Sequence, residues 1–124
     1  MKIVTNGQCA SPGVGAGNIC FTSDEVIRRN ELGEYVIFVK KYTTPEDTIA
    51  IMAAKGVITE VGGITSHASV CAREFNKPCI INCLGMKVDE KAKALYINDV
   101  LYKDGDDAMV NANTGNVYMK GGNE

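Results

Sequence analysis

The sequence lacks the features that mark several large classes of protein. Its 124 residues contain no apolar run long enough for the core of a signal peptide or for a membrane span. Like charges do not cluster. The formal net charge is −2 and the pI is about 5.4, whereas a nucleic-acid-binding domain is usually basic. We therefore predict a cytoplasmic protein that binds neither a membrane nor a nucleic acid.

The sequence also lacks the Cys-x-x-Cys pairs that are typical of structural zinc sites. A metal site could be assembled from Cys79 and Cys83 together with Cys71 and His67. Cys79, however, begins an apolar run over residues 79–81 that is typical of a buried strand. We predict no metal site and interpret the cysteines as free, mostly buried thiols: Cys9, Cys20, Cys71, Cys79 and Cys83.

No linker, repeat or low-complexity tract divides the chain, so we predict one domain over residues 1–124. In its first part, SPGVGAG predicts a turn that leads into a strand at about 18–21. Ser23 is the predicted N-cap of a short helix with acidic residues in its first turn. The β-branched and aromatic residues of 34–40 predict a buried strand.

A second helix is predicted after this strand. Thr44 is its expected N-cap, Pro45 suits the first helical position, and Asp47 completes a pattern like a capping box. Gly56 is the predicted stop. Apolar residues recur at helical spacing between these limits: Ile49, Met52 and Ala53.

The rest of the chain predicts more strand than helix. A strand at 57–61, a helix at about 67–75 and a strand at 79–82 follow in order, and this alternation favours parallel pairing with helices packed on the sheet. After about residue 94, short β runs are separated by Asp-Gly and Thr-Gly turns. We predict an α/β domain with a mixed sheet that curls toward a barrel.

His67 is the only histidine of the chain, and it stands between a glycine-rich loop and a predicted helix. Gly62 and Gly63 allow backbone N–H groups to point at an anion, and Ser66 or Thr65 can cap the helix. The partial positive charge of a helix N-terminus stabilises a phosphoryl or carboxylate group there. It also favours a neutral imidazole, which has a lone pair for attack on phosphorus. The local sequence thus allows a nucleophilic histidine, with a capping or packing histidine as the alternative.

Three further residue patterns bear on this site. Arg73 lies six residues after His67, nearly two helical turns, and its reach leaves open whether it shares the histidine's side. Adjacent Ser66 and His67 lack the Gly-x-Ser-x-Gly motif of serine hydrolases. The glycines of residues 13–17 lack both the dinucleotide-binding spacing and the Gly-Lys-Ser/Thr of a phosphate loop, so we interpret them as a tight turn and a close approach of backbone.

The segment GGITSHASVCAR, residues 62–73, resembles the phosphohistidine signature of the phosphoenolpyruvate-utilising enzymes. These include pyruvate phosphate dikinase, phosphoenolpyruvate synthase and Enzyme I of the sugar phosphotransferase system. Cys71 alone departs from the signature, at its second aliphatic position. Further segments resemble the same mobile domain in the same order, and most closely that of the dikinase: GQCASPGVGAG, TTPEDTIAIMAAKGVITEVGG, AREFNKPCIINC and GDDAMVNANTGNVY.

The resemblance implies a single compact β/β/α phosphohistidine swivelling domain with a mixed, partly barrel-like sheet and a core at about residues 7–121. By the same resemblance, His67 is the nucleophile that accepts the phosphoryl group. Thr65 matches a position that is a regulatory phosphorylation target in some plant dikinases. The residues expected to support the phosphoryl group are Gly62, Gly63, Thr65, Ser66 and Arg73.

The resemblance also implies partners. In the family this domain carries a phosphoryl group between a nucleotide-binding domain, or a phosphoryl-donor protein, and a TIM-barrel domain that binds phosphoenolpyruvate or pyruvate. The 124 residues cannot hold a barrel of about 250 residues, so these partners lie elsewhere, in cis or in trans. We expect this chain to bind no cofactor, Mg²⁺ to lie on the partner domains, and no turnover by the chain alone. The alternative is a catalytically silent regulatory or binding module with the same fold.

Overall fold

The computed structural model describes residues 1–120, which form two β-sheets and three α-helices. The helices are α1 (Ser23–Glu31), α2 (Thr48–Ala53) and α3 (His67–Glu74), and a 3₁₀ turn over Pro45–Asp47 precedes α2. The strands are β1 (Lys2–Asn6), β2 (Gln8–Ser11), β3 (Val14–Cys20), β4 (Val36–Lys40), β5 (Gly56–Thr59), β6 (Cys79–Ile81), β7 (Met86–Asp89), β8 (Ala94–Ile97), β9 (Val100–Lys103), β10 (Asp107–Asn111) and β11 (Asn116–Met119). Within residues 1–120, no helix is long and apolar enough to cross a bilayer.

The larger sheet has eight strands in the order β1-β11-β10-β3-β4-β5-β6-β2. Its centre, β3 to β6, is parallel, because each strand is joined to the next by one of the three helices. The outer pairs are antiparallel. The second sheet is an antiparallel meander of β7, β8 and β9. The predicted mixed sheet with a parallel centre is therefore confirmed.

The molecule has three layers, with the large sheet between the helices and the small sheet. Side chains of β4 alternate between the two faces: Ile37 and Val39 pack toward the small sheet, whereas Val36 and Phe38 pack toward the helices. All residues of β5 and β6 are buried, as expected for parallel strands covered on both faces. The predicted β/β/α architecture is confirmed.

The large sheet curls but does not close. β1 and β2 lie at opposite edges of the sheet, yet Gly7 alone separates them in the chain. The Gly7 amide donates to the carbonyl of Gly115 at 2.8 Å, which ties the turn to the β10–β11 hairpin. The two edges therefore converge at Gly7, although β1 and β2 do not pair with each other.

The N-terminal part of the prediction is wrong in detail. β1 and β2 were not predicted, and β3 begins at Val14 rather than near residue 18. Gly15 and Gly17 lie in this strand at points where the neighbouring backbone leaves no room for a side chain. A Cβ at Gly15 would overlap the carbonyl oxygen of Lys55, and a Cβ at Gly17 would overlap that of Tyr35. The predicted close approach of backbone is therefore confirmed at Gly15 and Gly17, while Gly13, with a φ of 128°, precedes the strand in a conformation that favours glycine.

The helix ends also need correction. The N-cap of α1 is Thr22 and not Ser23, since the Thr22 hydroxyl accepts the amide of Glu25 at 3.3 Å. α2 ends at Ala53, and Gly56 is the first residue of β5 instead of a helix stop.

Of the three apolar residues that predicted the helix, only Ala53 packs against the core, and it is half-buried. Ile49 is 58% exposed and Met52 is 46% exposed, while Ala50 and Ile51 are buried. The predicted start of the helix at Pro45 is a 3₁₀ turn over Pro45–Asp47, and α2 begins at Thr48. The predicted capping pattern is present, since the Asp47 carboxylate accepts the amide of Thr44 at 3.0 Å.

Strands after residue 94 are confirmed as β8 to β11, and β7 adds one that was not predicted. The assignment of residues 1–124 to one domain stays a prediction. The last residue of the predicted core, 121, lies outside the described residues.

Candidate functional site

His67 is the first residue of α3. Ser66 is the N-cap, and its hydroxyl accepts the amide of Ser69 at 3.4 Å, which confirms one of the two predicted caps. The Ser69 hydroxyl in turn donates to the carbonyl of Gly63 at 2.7 Å. These contacts fix the loop against the first turn of the helix and place the partly exposed imidazole in the positive field of the helix N-terminus.

Both ring nitrogens of His67 are within hydrogen-bond distance of a hydroxyl group. Nδ1 lies 2.8 Å from Oγ1 of Thr43, and Nε2 lies 3.0 Å from Oγ1 of Thr48. Nε2 also lies 3.3 Å from Sγ of Cys71, one helical turn further along α3. Thr43 is buried and Thr48 is only partly buried, so the hydroxyl group at Nδ1 is the more enclosed of the two.

The hydrogen bonds of Thr48 indicate where the imidazole proton lies. Its hydroxyl donates to the carbonyl of Pro45 at 2.8 Å, and a carbonyl oxygen can only accept. The Thr48 oxygen is then left to accept from Nε2–H of His67. Nδ1 in this tautomer accepts from the hydroxyl of Thr43, and the ring proton lies on Nε2.

The topology of the sheet brings these groups together. β4 and β5 are adjacent parallel strands, so the segments that follow their carboxyl ends lie side by side. The first of these segments carries Thr43 and Thr48, and the second carries the glycine-rich loop and His67. The prediction from sequence missed both threonines, although their position just after a predicted strand was the available signal.

The glycine-rich loop is held by Asn82, which was also missed. The side chain of Asn82 accepts the Gly62 amide at 3.1 Å and donates to the Gly62 carbonyl at 2.7 Å. The expectation that the Gly62 amide points at an anion is therefore wrong for this structure, because the amide already has a partner. Within residues 1–120, the amides of Gly63, His67 and Ala68 have no hydrogen-bond partner.

Arg73 supports the same loop from the other side. Its guanidinium donates to the carbonyl of Ile64 at 2.7 Å and to the carbonyl of Ala10 at 3.1 Å. The loop is thereby linked to β2 at the edge of the large sheet. Among the described hydrogen bonds, none joins Arg73 to His67. Thr65 is exposed in the loop, two residues before the histidine.

The surroundings of His67 are open and partly apolar. A cleft of about 530 Å³ adjoins residues 41–47, but His67 is not among its lining residues: Lys40, Lys41, Tyr42, Thr44, Glu46, Asp47, Val88 and Glu90. Within residues 1–120, no three His, Cys, Asp or Glu side chains are grouped so that they could hold a metal ion. The segments that carry Thr48 and His67 also expose large apolar side chains: Ile49, Met52, Val61, Ile64 and Val70.

This fold and site define a β/β/α domain with one partly exposed histidine at a helix N-terminus, whose two ring nitrogens contact hydroxyl groups. The family model described as "PEP-utilising enzyme, mobile domain" matches residues 32–115. The chain belongs to this family of phosphoenolpyruvate-utilising enzymes, which confirms the resemblance seen in the sequence.

Individual relatives agree with this assignment. The chain is 40% identical over 118 residues to pyruvate, phosphate dikinase 1, chloroplastic, of Arabidopsis thaliana, which covers 95% of this chain and 12% of the relative. It is 38% identical over 117 residues to pyruvate, phosphate dikinase of Clostridium symbiosum. This match covers 94% of this chain and 13% of the relative. The chain thus spans about an eighth of the length of the curated relatives it matches.

Two solved structures share the fold. A solution structure of Enzyme I is 27% identical, covers 76% of this chain and 34% of that chain, and superposes with a TM-score of 0.50. The holo form of aconitase X from Thermococcus kodakaraensis is 15% identical, covers 94% of this chain and 98% of that chain, and gives a TM-score of 0.55. The second likeness concerns the fold alone.

Proposed function

We propose that this chain is the phosphoryl-carrier domain of a dikinase-like phosphotransferase, with His67 as the residue that accepts and donates the phosphoryl group. The single observation that carries the proposal is the setting of the partly exposed His67 at the start of α3, with a buried hydroxyl at Nδ1 and a partly buried one at Nε2. A packing histidine does not need a free helix N-terminus beside an open surface.

Nε2 is the proposed nucleophile, because Nδ1 faces the buried Thr43. Before attack, the ring proton moves from Nε2 to Nδ1, where the Thr43 oxygen can accept it; a hydroxyl serves equally as donor or acceptor. The Nε2 lone pair then forms the nitrogen–phosphorus bond, while the bond from phosphorus to the donor's oxygen breaks and that oxygen keeps the electron pair. Thr43 stabilises the positive charge that develops on the ring.

The predicted supporting residues take two kinds of role in this proposal. The amide of Gly63, with those of His67 and Ala68, is available to donate to the phosphoryl oxygens. Gly62 and Arg73 act by fixing the loop through Asn82, Ile64 and Ala10.

Ser66 caps the helix that carries the nucleophile. Thr65 is exposed beside the site, where a phosphate would add negative charge close to the incoming phosphoryl group and oppose loading. We therefore keep Thr65 both as a supporting residue and as a candidate regulatory site.

The partners of this carrier are proposed from its family and its open site. They are a phosphoenolpyruvate-binding barrel domain, which carries Mg²⁺, and a nucleotide-binding domain or a phosphoryl-donor protein, on the same chain or on another. Because His67 is partly exposed, it needs a second surface to exclude water during transfer. The exposed apolar residues on the segments around His67 suit such transient docking.

The proposal is tested by incubating the 124-residue chain with Mg²⁺, phosphoenolpyruvate and the separately produced barrel domain of a pyruvate phosphate dikinase. Intact-protein mass spectrometry at neutral pH should show the addition of one phosphoryl group, which acid removes. The His67→Ala variant should gain none. Equal labelling of that variant would overturn the proposal, and a folded parent chain that binds the barrel but is never labelled would favour the silent binding module.

A further inference from the structure

Cys71 stands next to the reactive nitrogen of His67. The two residues are four apart on α3, a spacing that places their side chains on one face of the helix. Sγ of Cys71 lies 3.3 Å from Nε2, and the other ring nitrogen is held at 2.8 Å by Thr43. A thiol, an imidazole and a hydroxyl that orients the imidazole thus form one row, the arrangement that activates a nucleophilic cysteine.

The placement of protons supports an activated thiol. Because the Thr48 hydroxyl donates to the carbonyl of Pro45, the hydrogen on Nε2 points toward the Thr48 oxygen and the Cys71 sulfur. When the ring proton moves to Nδ1, as the proposed phosphoryl transfer also requires, the Nε2 lone pair faces the sulfur and can take the thiol hydrogen, which leaves the thiolate that reacts.

The other buried thiols have a different environment. Burial raises the pKa of the Cys79 and Cys83 thiols to about 12. The Cys83 sulfur lies 3.9 Å from the carbonyl oxygen of Ile80, which can accept the thiol hydrogen but cannot stabilise a thiolate. These cysteines provide internal controls for the reactivity of Cys71.

We propose that Cys71 and His67 form a thiol–imidazole pair in which Cys71 is a modifiable nucleophile, and that a mixed disulfide on Cys71 prevents phosphoryl loading of His67. The co-reactant is a low-molecular-weight disulfide such as oxidised glutathione. The Cys71 thiolate attacks one sulfur of the disulfide, a new sulfur–sulfur bond forms, and the other half leaves as a thiolate that takes up the proton. No net redox change occurs beyond this exchange.

The blocking effect follows from the 3.3 Å separation between Sγ and Nε2. A glutathione group bound to this sulfur occupies the space that a phosphoryl donor needs in order to approach the nitrogen. The influence is reciprocal, because a phosphoryl group on Nε2 removes the lone pair that takes the thiol hydrogen and adds negative charge beside the sulfur, which disfavours the thiolate. This second half of the proposal rests on the proposed function, whereas the thiol–imidazole pair does not.

The pair is tested by the rate of alkylation with iodoacetamide, measured for each of the five cysteines of the 124-residue chain by peptide mass spectrometry. Cys71, although only 8% exposed, should react at least about tenfold faster than Cys79 and Cys83. In the His67→Phe variant, which keeps a planar ring but no nitrogen, the Cys71 rate should fall about tenfold. The exposed Cys9 should keep its rate, which serves with far-UV circular dichroism as the control for folding.

Two results would overturn the pair. One is a Cys71 rate no higher than that of Cys79 and Cys83 in the parent chain, a comparison that needs no variant. The other is a Cys71 rate unchanged by His67→Phe in a folded protein.

The effect on loading is measured after treatment with oxidised glutathione, with Cys9→Ser as the background so that the exposed thiol does not react. Loading of His67 should be lost in proportion to the mixed disulfide on Cys71, and a reductant should restore it. A chain that also carries Cys71→Val should load equally with and without the disulfide. Full loading of a chain modified at Cys71 would refute the block. If the untreated chain is never loaded, the proposed function is wrong, and the alkylation rates alone decide the thiol pair.

Discussion

Replacing Thr43 with valine removes the hydroxyl that holds Nδ1 of His67 and changes little else. Thr43 is 7% exposed, and its Oγ1 lies 2.8 Å from Nδ1. Valine has a similar shape, so the packing of the segment before α2 should be preserved while the hydrogen bond is lost. Nδ1 then has no partner among the described residues.

The size of the effect follows from the difference between neutral and charged hydrogen bonds. A hydrogen bond to a neutral group contributes about 1 kcal/mol, and one to a charged group contributes about 1.5–3 kcal/mol. The ring of His67 gains positive charge as Nε2 attacks phosphorus. Thr43 therefore favours the transition state by roughly 1–2 kcal/mol more than the ground state, and Thr43→Val should slow loading about tenfold or more.

The assay is single-turnover loading of the chain by phosphoenolpyruvate, Mg²⁺ and the barrel domain, stopped with alkali and followed by mass spectrometry. Thr43→Ser is the matched control, since it keeps the hydroxyl and loses only a methyl group. Its rate should stay close to that of the parent chain. A Thr43→Val rate within twofold of the parent would refute the reasoning, and equal slowing in both variants would assign the effect to packing instead of the hydroxyl.

Three further predictions concern the frame around the site. Asn82→Ala removes both hydrogen bonds to Gly62 and places alanine at a φ of 53°. It should therefore lower the free energy of unfolding, measured in urea, by about 1–3 kcal/mol and speed hydrogen exchange of the Gly62 amide. Unchanged exchange would contradict the role of Asn82. Gly15→Ala forces a Cβ against the Lys55 carbonyl, so it should lower the free energy of unfolding by several kcal/mol and cause a large fall in Tm. A Tm near that of the parent would show that β3 has room to move. Burial raises the pKa of Cys83 from 9.0 to about 12, so the thiol's contribution to stability is complete below about pH 9 and is lost as the pH rises from there toward 12. Above pH 9, the free energy of unfolding in urea should fall by about 1.4 kcal/mol less per pH unit in Cys83→Ala than in the parent chain. Equal slopes in the two proteins would argue against a buried neutral thiol.

The central part of the fold could be predicted because its signals are local. β4, β5 and β6 are short apolar runs, and the helices between them begin with capping residues such as Thr44 and Ser66. The edge strands could not be predicted in the same way. β2 is partly exposed and exists because it pairs with β6, some seventy residues away, so its own sequence carries little β signal.

The site shows the same division. His67 and its cap Ser66 are recognisable from their own neighbours, whereas the contacts of Thr43 and Thr48 with the ring depend on two loops that meet at one edge of the sheet. Asn82 follows β6, a third parallel strand, and reaches Gly62 only in the folded protein. The closeness of Cys71 to His67 was accessible from the sequence, because residues four apart on a helix share a face.

The most direct test of the account is to locate the phosphoryl group on the loaded chain. Fragmentation mass spectrometry at neutral pH should place it on His67, and nitrogen NMR of the labelled ring should place it on Nε2, with Nδ1 still bonded to Thr43. Phosphate found on Thr65, Ser66 or Cys71 instead, or an acid-stable label that persists in His67→Ala, would contradict the assignment of His67 as the carrier.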